Sequence, residues 1–200
     1  IELQTALQET VKALQGCGGR LYITPKINST AELFVCGNGP NLLEGNDSFI
    51  EQHPDWQSWA SFSRQNLENA GTQSLIVTDL SKTPALEFLI PAFQGTGIRG
   101  MLVLPLYYRA FFLGYLSVFR TEIDTETLWA VRFDPNEKQH FPRNSFEVWR
   151  ELKRGQAQQW TQSDRELALA LAHHFAMAIQ QYELYSEVQS LNSNLEQQVE

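Results

Sequence analysis

The sequence predicts an α+β fold of helices and antiparallel strand pairs. Three observations carry the prediction. Apolar residues recur at helical spacing near the N-terminus and again from Ser163 to the end of the chain. Between them lie short apolar runs bounded by Gly, Pro and Asn, the pattern of strands. Two of those runs, residues 99–107 and 111–120, are separated only by Arg109-Ala110, which fits a tight hairpin although it lacks the usual Asn-Gly.

Taken in order, residues 1–15 place Leu3, Leu7, Val11 and Leu14 on one stripe of an amphipathic helix. Gly16, Gly18 and Gly19 are expected to stop it. Residues 20–24 and 31–36 read as an antiparallel strand pair, followed by a turn at Gly37-Asn38-Gly39-Pro40. That Gly-x-Gly is a poor phosphate loop, because Pro40 removes an amide donor and no Lys-Ser/Thr follows. Residues 55–70 read as a helix with Trp56, Trp59, Ala60, Phe62 and Leu67 on its apolar side. Residues 75–80 form a short buried strand ending near Asp79, and residues 84–93 a second short helix with Pro84 near its start. Ser163 with Glu166 makes a capping box for a helix expected to run to the end of the chain.

Composition narrows the function. The 200 residues suit one domain with appendages, and a 42% apolar content is ample for a core. A net charge of −8 without a basic stripe argues against nucleic acid. No apolar run approaches the roughly 20 residues needed to span a bilayer, and no signal peptide is expected, so the reading is a cytoplasmic protein. The chain begins without Met and ends inside a helical pattern, and reads as a piece of a longer polypeptide. Cys17 and Cys36 fit no zinc spacing and read as two reduced thiols.

The long segment at residues 121–161 stands out. A connection of this length inside a compact domain is usually functional. It carries Trp129, Phe133, Phe141, Phe146, Trp149 and Trp160, so it has apolar surface to bury, and a planar cation at Arg143. These properties describe an arm that clamps a neighbour. The same residues carry a family resemblance. Trp129-Ala130, then Pro142-Arg143-Asn144-Ser145-Phe146, then Trp149-Arg150-Glu151 resemble the tongue motifs of the PHY domain of phytochrome photoreceptors, in the family's order. Val131 replaces a glycine of the first motif; losing it could alter the hairpin.

The resemblance implies a GAF/PAS-like fold, with a central antiparallel sheet and helices on one face. It covers residues 1–185 as the sensor domain, with 121–161 as the tongue insertion. Residues 186–200 would begin a coiled-coil linker to an output module. It also implies that Trp129, Pro142, Arg143, Ser145, Phe146, Trp149 and Glu151 contact a neighbouring bilin-binding GAF domain. In the family the equivalent of Arg143 pairs with an aspartate of that neighbour in one photostate, and a guanidinium suits a planar, bidentate carboxylate contact. Residues 146–153 satisfy both strand alternation and helical spacing, as a strand-to-helix switch requires.

The terminal helix has its own pattern. Met177, Leu184, Val188, Leu191 and Leu195 follow 3–4 spacing, with Gln181 at one seam position, which predicts a coiled coil and a homodimer. A plain amphipathic helix packed on its own sheet is the alternative. Catalysis has little support. Glu147 and Glu151 sit among Arg150, Lys153 and Arg154, as on a solvated face. His173 and His174 are adjacent and point about 100° apart on a helix, so they cannot share a metal as an i, i+4 pair would. His174 falls on the seam and reads as an interface histidine.

No cysteine or histidine stands where bilin-binding GAF domains carry one, so this domain is expected to bind no cofactor, with the bilin held next door. The first functional reading is therefore a non-enzymatic phytochrome-type signalling domain. It would shield that pigment and relay light state through its last helix to an output module such as a histidine kinase. A GAF-type sensor that itself binds a bilin or another small molecule, and a plain dimerisation spacer, are the alternatives.

Overall fold

The structure, a computed structural model, describes residues 2–26, 29–43, 49–67, 75–77, 79–123 and 157–199. Helix α1 (Leu3–Ala13) buries Leu3, Leu7 and Val11, and Leu14 follows at its C-cap with no exposure. The buried Thr10 satisfies its hydroxyl by donating to the Ala6 carbonyl at 2.8 Å. Just past the C-cap, Gln15 adopts φ +54° and turns the chain out of the helix. Gly18 and Gly19, expected as helix stops, instead begin strand β1 (Gly18–Ile23). The reason is close approach: a Cβ on Gly18 would lie 1.7 Å from the Asn38 carbonyl oxygen, and one on Gly19 2.5 Å from Val11 Cγ2.

Strands β1, β2 (Glu32–Gly37), β3 (Leu75–Val77), β4 (Ile98–Tyr108) and β5 (Phe111–Thr121) form one five-stranded sheet in the order β2-β1-β5-β4-β3, every pair antiparallel. Both residues of the β4–β5 turn are left-handed, Arg109 at φ +47° and Ala110 at φ +68°. This is the primed geometry that matches strand twist, reached without glycine. β3 ends before Asp79, whose carboxylate caps the 3-10 turn Leu80–Lys82 by accepting from the Ser81 amide at 3.0 Å. Residues 84–93 divide into a 3-10 stretch (Pro84–Leu89) and one α turn, α3 (Ile90–Phe93). Pro91 has no N–H to reach the Glu87 carbonyl, so Ile90 takes that acceptor with 3-10 spacing.

Helices cover both faces of the sheet, not one. On the first face lie α1 and the terminal helix α4 (Gln162–Val199), packed on Leu21, Ile23, Leu102, Leu104, Leu106, Leu116 and Val118. On the second lie α2 (Pro54–Leu67) and the 3-10 turns, packed on Tyr22, Met101, Val103, Tyr115 and Phe119. β5 is accordingly buried without interruption from Leu113 to Arg120, the mark of a strand covered on both sides. In α2, Trp56, Trp59 and Ala60 are buried as expected, whereas Phe62 lies away from that stripe and is 67% exposed.

The capping box of α4 stands two residues before the expected one. Thr161 Oγ1 accepts from the Asp164 amide at 3.1 Å, and the Asp164 carboxylate accepts from the Thr161 amide at 2.9 Å. Ser163 and Glu166 offer the same local chemistry, but only Asp164 also meets a buried cation, Arg120. No helix among the described residues is long and apolar enough to cross a membrane.

Candidate functional site

Two features point outward from this fold: the base of the segment inserted after β5, and the free face of α4. The tongue positions Trp129, Pro142, Arg143, Ser145, Phe146, Trp149 and Glu151 lie outside the described residues. The flanks of that segment are described. Glu122 and Ala157 form an antiparallel bridge, so the chain leaves the sheet and returns at one place. The Glu122 amide donates to the Gly97 carbonyl at 3.1 Å. Ala157 is 1% exposed and packs over Gly100, where an added Cβ would come within 2.6 Å of its own.

Arg120, at the end of β5, organises this base. Its guanidinium lies 3.7 Å from the centre of the Trp160 ring. Nη1 donates to the carbonyls of Gln158 (3.2 Å) and Gln159 (3.1 Å) on the returning chain. Nη2 donates to the Leu14 carbonyl at the end of α1 (2.8 Å) and to the Asp164 carboxylate on the first turn of α4 (3.2 Å). Burial lowers the pKa of Arg120, and the nearby Asp164 charge opposes that shift. For Asp164, burial acts upward, but the Thr161 hydrogen bonds and the Arg120 charge outweigh it and hold the carboxyl below its usual range.

Helix α4 has two apolar faces. Ala168, Ala172, Phe175, Ala176 and Ile179 are buried against the sheet. Met177, Leu184, Val188, Leu191 and Leu195 are each at least 41% exposed. At 100° per residue the two stripes centre about 150° apart, so the outer one faces away from the domain. His173 and His174 are both exposed, and His174 lies on the outer stripe one turn before Met177. Lys26 pairs with Glu183 where the helix leaves the sheet, and every described residue beyond Glu183 is exposed.

The second core is filled by its own aromatic side chains. The Trp56 ring stands edge-on to Trp59 and Tyr115, at 5.3 and 5.7 Å between centroids, and Phe93 is edge-on to Phe119 at 5.5 Å. Burial is the main cause raising the Tyr115 pKa to about 12, with Tyr107, Tyr22 and Glu51 adding to it. Cys17 and Cys36 are free thiols, and burial pushes the Cys17 thiol up. Among the described residues no group of three His, Cys, Asp or Glu side chains could hold a metal ion.

In the sequence Arg120 is only the last residue of the apolar run 111–120, and nothing there marks Asp164 as its partner. The available signal was an arginine closing an otherwise apolar strand, a position that needs a buried acceptor.

A five-stranded antiparallel sheet in this order, helices on both faces, an insertion after the last strand and a projecting terminal helix define a GAF-type domain. Solved structures share that fold. The GAF domain of a two-component sensor histidine kinase from Bacillus halodurans is 18% identical, covering 92% of this chain and 98% of that one, with a TM-score of 0.52. The GAF domain of a phosphoenolpyruvate-protein phosphotransferase from Coxiella burnetii is 12% identical, covering 93% and 87%, with a TM-score of 0.52. The blue-light absorbing form of the PixJ GAF domain from Thermosynechococcus elongatus is 14% identical, covering 95% and 92%, with a TM-score of 0.50. No curated protein matches the sequence significantly. Within the GAF-type class the chain belongs to the phytochrome region (PHY) family, whose model matches residues 63–183. The matched stretch contains β3, β4, β5, the whole inserted segment and the sheet-packed part of α4.

Proposed function

We propose that this chain is a non-catalytic phytochrome-type signalling domain working in the cytoplasm beside a bilin-binding GAF domain. Residues 1–185 form the domain and residues 186–200 begin a coiled-coil linker to an output module. The inserted segment covers the neighbour's bilin pocket, with Trp129, Pro142, Ser145, Phe146, Trp149 and Glu151 at the contact. Arg143 pairs with a carboxylate there in one photostate. A charge-assisted bond present in only one state contributes about 1.5–3 kcal/mol, enough to bias a two-state equilibrium about tenfold or more. The domain holds no pigment itself, a reading supported by the aromatic filling of its second core.

The observation that carries this reading is continuity: the returning flank of the insertion, Ala157 to Trp160, runs directly into α4. Movement in the segment therefore has a short route to the helix. The outer stripe of α4 supports dimerisation through Met177, Leu184, Val188, Leu191 and Leu195.

The test is the red-minus-far-red difference spectrum of the protein together with the domain preceding it, supplied with bilin, with Arg143 intact and as Arg143→Ala. Loss or bleaching of one photostate in the variant is expected. Identical spectra would reject the clamp. Covalent colour acquired by residues 1–200 alone would establish a pigment-binding GAF domain instead.

A further inference from the structure

The described strands bury two charged side chains, Arg20 and Arg120, and Arg120 is only 4% exposed. A cation desolvated to this degree must be compensated, and a surface position would cost less. Its compensation comes from three separate parts of the chain. The Gln158 and Gln159 carbonyls belong to the returning flank of the insertion. The Leu14 carbonyl is one that the end of α1 leaves without a helical partner. The Asp164 carboxylate belongs to the capping box of α4. Trp160, 5% exposed, closes over the guanidinium from the same flank.

Resting on the functional reading above, we propose that Arg120 is the positioning residue that couples the inserted segment to the terminal helix, and couples both to α1. Its planar fork fixes the directions of the four acceptors at once. Displacing the Gln158 and Gln159 carbonyls must turn the guanidinium or break its bonds. Either change alters the contact to Asp164, and with it the first turn of α4. Gly100 makes the linkage stiff on the sheet side, since it lets Ala157 sit directly on β4. A lysine would retain the charge but not the fork, because one ammonium cannot meet acceptors spread over three segments in fixed directions.

The experiment compares light and dark amide hydrogen exchange in the full protein carrying the bilin-loaded neighbour, as wild type, Arg120→Lys and Asp164→Asn. Pigment spectra are recorded on the same samples. Wild type is expected to show light-dependent exchange at residues 157–161 and in the first turns of α4. Both variants are expected to photoconvert normally and keep the difference at 157–161, while losing it in α4. A merely structural role would raise exchange in α4 equally in light and dark and leave the difference intact, which would overturn the proposal. If Arg120→Lys does not fold, Asp164→Asn decides, because it leaves the three carbonyl contacts in place. A wild type that photoconverts without light-dependent exchange in the insertion or in α4 would reject the functional reading itself, a result separable from failure of the variants.

Discussion

Arg20 and Glu51 form a bidentate ion pair beneath the sheet's second face, with Nε to Oε1 at 2.6 Å and Nη2 to Oε2 at 3.0 Å. The Glu51 side chain is 0% exposed and that of Arg20 8%. The pair ties β1 to the 3-10 turn Ile50–Gln52 that leads into α2. It therefore joins the sheet to the helix carrying Trp56 and Trp59.

Removing one member should be costly. Glu51→Ala leaves an uncompensated buried guanidinium and should destabilise the domain by about 3–5 kcal/mol. Arg20→Met with Glu51→Leu removes both charges and should recover most of that loss. Urea unfolding of both variants decides the matter. A cost for Glu51→Ala within about 0.5 kcal/mol, the range of an ordinary surface change, would show that the pair contributes nothing.

Asp164 sets an acid dependence. Its carboxyl is held below the usual value, so its stabilising effect is fully present above the unfolded-state pKa of about 3.9. As pH falls through that value the unfolded chain binds the proton first, and the contribution disappears as pH falls through the folded-state pKa. Asp164→Asn should lower the melting temperature at pH 7 and flatten its decline below about pH 4. An unchanged acid slope in the variant would assign the dependence to other carboxylates.

The outer stripe of α4 predicts a separation of folding from association. Val188→Glu places a charge on the proposed seam but touches none of the buried residues of the opposite face. The variant should have half the wild-type mass in sedimentation equilibrium while keeping its melting profile. Gln189→Glu, next to the seam residue but off the stripe, should leave the mass unchanged. A wild type that is already monomeric would remove the dimer from the functional reading.

Much of the fold was legible because it follows local periodicity. The stripe Leu3, Leu7, Val11 and Leu14, the β4–β5 hairpin and the terminal helix itself all appear where the spacing places them. What escaped was set by tertiary partners. Thr161/Asp164 and Ser163/Glu166 are equivalent as local patterns, and a cation 44 positions before Asp164 chooses between them. Arg20 and Glu51 are 31 positions apart, and nothing near either marks the other. Gly18 and Gly19 resemble a helix stop, but space, not φ, demands them. The two-sided burial of the sheet did have a trace, the run Met101–Leu106 of β4, apolar at every position, which alternation on a one-sided sheet would have interrupted.

The inner face of α4 also acts as a phase reference. Ala168, Ala172, Phe175, Ala176 and Ile179 fix the rotation of the rod about its own axis before it leaves the sheet. From there the direction of every later side chain is a matter of counting. One residue inserted between Glu183 and Leu191 would swing Leu191 and Leu195 about 100° around the axis, while seven would return them to within about 20°. The spacing of this helix thus encodes an angle, and evolution can lengthen it freely only in near-whole turns.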